Sequence, residues 1–384
     1  MNPHNFLKAN SPWANVVKGG LLFFLCSLVA CGGGKKPEAN KPEETRQESR
    51  LFLNNATLEQ SNPKGQLVWK IQVDEAAYTP DRHKAQLTGV KGNLFQDGKI
   101  VLQIKSDEGE IYRDGVEIFL RKNIVALDPR NKTVIRSNEV EWRPQDSVLI
   151  VRKNLRGSHP DLEASAKEGK YYTRKEQLEL TGNIVATAKN PRLQLKTEYL
   201  QWDVSQDKLK GDRLFNLVRF QDKTVTDRLV GKKLEVRFKT KEVIIEDNID
   251  FKSIKPPIQV ATKQVIWQYK NRQVRSDKPI QLINYVDGVS ITANQAQVDF
   301  SQQIAYLKGG VQGTNASNQG KLYANDITWN MGTRIVEALG NVIYEQANPK
   351  FNLTGEKAVG TLHDNKIMVS GNNQERVVTE IFPD

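Results

Sequence analysis

The sequence predicts an all-β protein, an elongated stack of about ten repeated two-strand units, and three observations carry that prediction. After Leu51 helical periodicity nearly vanishes and apolar residues alternate with polar ones. The runs Val116, Ile118, Leu120; Leu178, Leu180; Leu234, Val236, Phe238; and Val265, Trp267, Tyr269 each place their apolar side chains on one face of a strand. Second, small or polar pairs recur at intervals of about 30 residues, within the range typical of stacked repeats. Third, only 38% of the 384 residues are hydrophobic, a modest share that fits strands hiding a single face.

The chain begins differently. Leu21–Ala30 is an apolar run preceded by Lys8 and Lys18. It is too short to span a bilayer, which takes about twenty residues, but fits the apolar region of an export signal. It ends in Leu28-Val29-Ala30-Cys31 followed by three glycines. Small residues before a cysteine and glycines after it resemble a bacterial lipoprotein signal, in which the cysteine becomes the lipid-bearing first residue. The alternative is a buried apolar segment with an incidental Cys31. On the lipoprotein reading residues 1–30 are a signal peptide, Cys26 is discarded with them, and Cys31 is the membrane anchor. Residues 31–50 are almost devoid of apolar side chains and should form a flexible tether.

From residue 51 the repeat takes over. Its punctuating pairs are Gly89-Val90, Lys122-Asn123, Lys153-Asn154, Gly182-Asn183, Gly211-Asp212, Asp247-Asn248, Asp277-Lys278, Gly309-Gly310, Gly340-Asn341 and Gly371-Asn372. Glycine and asparagine tolerate positive φ, so these pairs are expected to turn the chain at strand ends. Trp142, Trp202, Trp267 and Trp329 occupy one slot in every other unit, with Val236 and Phe300 in that slot between them. They would rise up one wall, either as core or in contact with a ligand; in a half-open β structure the two roles merge. Ten units in two facing sheets would make a stack roughly 45–50 Å long with unpaired edges at both ends, open to strand addition. The longest interval contains Phe220–Arg228 as an apparent insertion, and Pro256-Pro257 follows it. That prolyl pair marks a seam between two portions or a surface loop within one continuous stack.

No catalytic constellation emerges. The sequence lacks a nucleophile elbow, a Walker loop, a dinucleotide fingerprint and a His-Glu-x-x-His helix. Four histidines and two cysteines argue against a zinc site, and no cofactor is expected. The 56 Lys and Arg are interspersed with 45 Asp and Glu rather than blocked, which argues against nucleic acid.

The series Leu67, Trp69, Ile71, Ala76, Tyr78, Ala85, Leu87, Gly89, Val90 resembles the start of the LptC family, as does the later series Ala166, Tyr171, Leu178, Leu180, Gly182, Asn183, Ile184. The units after about residue 255, with their Leu-x-Gly-Asn-Val endings, resemble the LptA/OstA repeat. The resemblance implies a half-open, taco-like β-jellyroll whose apolar interior holds the acyl chains of lipopolysaccharide. It implies a chain that is not an enzyme and works with partners: an inner-membrane ABC transporter of the Lpt type, and an LptA-like bridge or outer-membrane assembly protein joined by edge strands. Many LptC proteins are about half this length and use a transmembrane helix. The expected division is therefore an LptC-like jellyroll over 51–255 and an LptA/OstA-like continuation over 256–384. Groove candidates are Trp142, Leu180, Trp202, Val236, Phe238, Trp267, Phe300 and Trp329. The site of action is the periplasm, on the inner membrane by resemblance or the outer by the Gly32 that follows Cys31. The competing reading is a β-solenoid lipoprotein that scaffolds the envelope or binds polysaccharide.

Overall fold

The computed structural model describes residues 51–381 apart from 131, 160–161, 190, 256, 348–349, 362–365 and 372–376. The predicted signal peptide, tether and Cys31 lie outside the described residues, as do Pro256 and Asn372. The described chain forms 26 strands in one antiparallel sheet and a single short 3-10 turn, Arg113–Gly115. Each strand pairs with its neighbours in sequence, Leu67–Tyr78 on Lys84–Gln96, then Lys99–Tyr112, Glu117–Asp128 and onward in a meander. Five passes of the chain are broken into two strands, as Lys208–Gly211 with Phe215–Gln221, so the 26 strands make 21 rungs.

Most of the recurrent pairs sit in the middle of strands, not at their ends, while Gly211-Asp212 and Asp277-Lys278 fall where a pass is broken into two strands. Lys122 and Asn123, Lys153 and Asn154, Gly182 and Asn183, Asp247 and Asn248, Gly309 and Gly310, and Gly340 and Asn341 all have positive φ. Pairing slips beside them, between Arg121 and Ile124 or Leu339 and Val342 for example. Each pair is thus a bulge that bends its strand. The hairpins are made elsewhere, by turns such as Asp97-Gly98, both at positive φ. The rungs between bear a buried hydroxyl at the bend. Ser106 donates to the Glu108 carbonyl (2.9 Å), Ser137 to the Glu139 carbonyl (3.0 Å) and Thr262 to the Pro279 carbonyl (2.9 Å). Those bonds satisfy carbonyls that an interrupted ladder leaves unpaired.

Because every strand bends, both halves of a strand face one interior. Leu322 and Trp329 belong to the strand Gly320–Asn330, which unbent would hold them roughly 23 Å apart, yet they line the same cavity. The architecture is a half-open β-jellyroll of two walls joined along a bent spine. Since the same strands build both walls, each rung adds a full strand spacing. The stack is therefore roughly 95 Å long, about twice the length expected from units shared between two sheets.

Phe220–Arg228 is no insertion. It belongs to the hairpin Phe215–Gln221 and Thr224–Gly231, which continues one wall in register. Pro257 opens the strand Pro257–Gln268, where its missing N–H costs no ladder bond, and pairs with Ile254. The buried core falls into three clusters, spanning Trp69–Tyr171, Ile184–Ile249 and Ala293–Ala358. The first two share Ala166 and Leu180 along their flanks.

Candidate functional site

Register places one continuous row of side chains along the inside of the first wall. It runs Ile118, Trp142, Leu149, Tyr171, Leu178, Trp202, Leu209, Val236, Val243, Trp267, Val274, Val298, Ala305, Trp329, Val336, each directly across from the next. The four tryptophans recur at every fourth rung, roughly 19 Å apart. A second row, nearer the spine, carries Leu120, Val140, Val151, Gly169, Leu180 and Leu200. The facing wall offers Leu195, Leu217, Leu229, Phe251, Val260, Leu282 and Ile291 in a row of its own.

Exposure divides this interior. Trp142 is 4% exposed, Leu149 0% and Tyr171 6%. From Leu178 onward the same row is mostly half-buried, Trp202, Val236, Trp267 and Trp329 included. Two contacts across the mouth close the first part. The Trp69 ring of one wall lies against the Gly115 turn of the other, an indole carbon 2.7 Å from where a Cβ on Gly115 would stand. Gly115 also has φ of +93°, so only glycine fits comfortably. Farther along, Arg130 bonds Asp128 on its own rim (2.7 Å) and donates to the Tyr171 hydroxyl on the opposite wall (2.7 Å). Burial pushes the Tyr171 phenol up, with the Arg130 charge opposing, so the phenol stays neutral at ordinary pH.

The mouth row of the second wall changes along the same direction. Near the first end it is Trp69, Leu94 and Leu102, all buried and apolar. Beyond residue 215 it is mixed: the ion-paired Arg219 and Asp227, then Ser253, Ile258, Asn284, Val289 and Asn315. Apolar mouth residues draw the walls together; polar ones keep their water. In the open part a cavity of about 160 Å³ is lined from one wall by Leu282, Ile291, Leu322 and Tyr344 and from the other by Trp329 and Val336. The indole N–H groups of Trp142, Trp202 and Trp329 are buried without a hydrogen-bond partner. A buried donor left so costs about 1–3 kcal/mol, and in the open part a guest's carbonyl oxygen would recover it.

Of the residues expected at the groove, Trp142, Trp202, Val236, Trp267 and Trp329 share the first row, and Leu180 stands in the row beside it. Phe300 does not occupy the slot. Val298 does, because it is Val298 that pairs with Val274 and Ala305. Phe300 lies two residues on, in the rim turn, 46% exposed. Phe238 is the equivalent rim residue four rungs earlier, two residues on from Val236, its ring 6.5 Å from that of Trp202. The second-wall row went unnoticed in the sequence, although its period-two signal is present after each bend. Among the described residues no His, Cys, Asp and Glu cluster could hold a metal ion, and no helix is long and apolar enough to cross a membrane.

Fold and cleft together define a class, the elongated β-jellyrolls with an apolar interior open along one side. Comparison with protein families gives the narrower assignment. The model for lipopolysaccharide-assembly, LptC-related proteins matches residues 20–149 and 148–215, about half of the chain, and the chain belongs to that family. No curated protein matches the sequence. Membership associates it with the lipopolysaccharide transport bridge of the envelope, in which LptC proteins are a non-enzymatic component.

Proposed function

We propose that the cleft carries the acyl chains of lipopolysaccharide and passes them from rung to rung towards the outer membrane. The observation that carries this reading is the continuous apolar row that is half-exposed from Leu178 onward, with bulky apolar side chains facing it from the other wall. Such a row offers similar sites at each rung, so a hydrocarbon chain meets no deep minimum and can slide. Lateral openness lets the sugar headgroup stay in water while the tails are buried. With no nucleotide motif in the sequence, the driving energy comes from a partner, an ABC transporter of the Lpt type. The outer rungs would join an LptA-like bridge or an outer-membrane assembly protein by strand addition. On this reading residues 51–255 act as the LptC-like portion, 256–384 as the LptA/OstA-like continuation, and acylated Cys31 holds the chain at a membrane of the periplasm.

A photo-crosslinking residue placed at Trp202 or Trp267 should capture lipopolysaccharide in cells, and one at Trp142 should not. Folded protein that gives no adduct at either open position would overturn the conduit. In the same cells, palmitate labelling lost on Cys31→Ser checks the anchor; equal labelling of both forms refutes it.

A further inference from the structure

The outer faces of the two walls treat charge in opposite ways over the same few strands. On the first wall the row Glu108, Arg121, Glu139, Arg152, Glu168 alternates strictly in sign from strand to strand. Arg152 there bonds Glu168 at 3.1 Å, and Lys153 reaches Glu139 at 2.5 Å. On the second wall the corresponding row reads Lys91, Lys105, Val125, Arg136, Arg156. Lys91 stands directly across from Lys105, and Arg136 directly across from Arg156. Like charges so placed are destabilising. All four are exposed, and none makes an ion pair with a described residue. Acids near these cations are spoken for or displaced: Glu59 pairs with Lys70 at 3.2 Å, Glu163 beside Arg156 pairs with Lys189 at 3.6 Å, Asp107 accepts from Asn123 at 2.6 Å, and Asp74 sits at the spine beside Gly89.

The same face is hollowed. A depression of about 480 Å³ is lined by Lys70, Lys91 and Lys105, by Gln72, Asn93 and Gln103, and at its floor and side by the apolar Ile104, Val125 and Leu127. No carboxylate lines it. Ammonium groups recognise phosphate, and carboxamides, which donate and accept, recognise sugar hydroxyls. A repeated cost in like-charge pairs, set in a concave site with amide groups, calls for an anionic guest rather than for bare solvent.

We propose that this outer face binds the phosphate-bearing saccharide headgroup of an anionic glycolipid, at a site separate from the cleft. The glycolipid source rests on the transport reading above; the phosphate and saccharide chemistry rests on the face itself. Calorimetric titration of the full chain with delipidated, phosphorylated core oligosaccharide of lipopolysaccharide tests it. Binding should weaken roughly thirtyfold in the double variant Lys91→Gln, Lys105→Gln. It should be unchanged in Lys239→Gln, Lys241→Gln, which removes equal charge elsewhere. Equal binding by the first variant, or equal loss in the second, overturns the site. Undiminished binding of enzymatically dephosphorylated oligosaccharide overturns the phosphate assignment, and inorganic phosphate binding as tightly as the oligosaccharide overturns the saccharide. Crosslinking at Trp202 reports the cleft independently, so failure of one reading does not carry the other with it.

Discussion

Trp142 and Trp329 stand in one cross-strand row of one sheet, twelve rungs apart, and live in different surroundings. Trp142 is buried in the core with Leu149 and Tyr171, 4% exposed. Trp329 is half-buried and lines a cavity between the walls. Neither the strand pairing nor the apolar row distinguishes the two regions, since both continue without a break. What differs is the mouth. Trp69, Leu94 and Leu102 close it at one end, and the Arg130 contact with Tyr171 marks the limit of the closed part. The comparison teaches that the walls supply an apolar interior everywhere, while a handful of rim side chains bears on where that interior is reachable.

Truncating the row should show the divide most strongly. Leu149→Ala in the closed part should cost about 2–5 kcal/mol of unfolding free energy. Leu209→Ala, in the same row but half-buried, should cost about 1 kcal/mol. Equal costs in urea titrations would abolish the distinction. Next in size is the charge ladder around Arg152 that braces the closed part from outside, in which Glu141 accepts from Arg152 at 2.8 Å. Burial raises the Glu141 carboxyl, but bonds from Arg152 and Arg143 outweigh it and hold the group below the usual carboxylate range. Its contribution is therefore full at neutral pH and fades as the solution is acidified below about pH 5. Glu141→Gln should lower stability by about 2 kcal/mol at pH 7 and flatten the acid dependence. A variant that keeps the wild-type slope between pH 6 and pH 3 would count against the ladder. The smallest effect on stability, about 1 kcal/mol, is expected of Tyr171→Phe, which removes the acceptor of the Arg130 bond across the mouth. Its sharper consequence is access: a photo-crosslinker at position 142 should then begin to capture lipid. If position 142 stays silent, the contact does not bound the closed part.

The all-β fold and its repeat were legible because period-two alternation and punctuating Gly and Asn pairs are local signals. The meaning of those pairs was not. A left-handed pair serves a hairpin or a bulge equally well, and only the pairing partner of Arg121 or Leu339 tells which. The same ambiguity halved the expected length and moved Phe300 into a slot that Val298 holds. The tryptophan row was readable, since its members sit at matching points of successive units. Closure was invisible because Tyr171 and Arg130 are 41 residues apart and meet only when two walls face each other.

The bent spine has a consequence for how such a chain can change its size. Side chains alternate sides along a strand, so a single inserted residue between bend and hairpin turns one wall's inner face outward over that span. An added pair of rungs, about 30 residues carrying its own bulge, leaves every existing inside position inside and lengthens the trough by roughly 10 Å. Duplication of such segments is therefore the cheap mutation and a lone insertion the costly one. The gap this protein can reach across is counted in whole repeats, as on a ruler whose divisions are written in the gene.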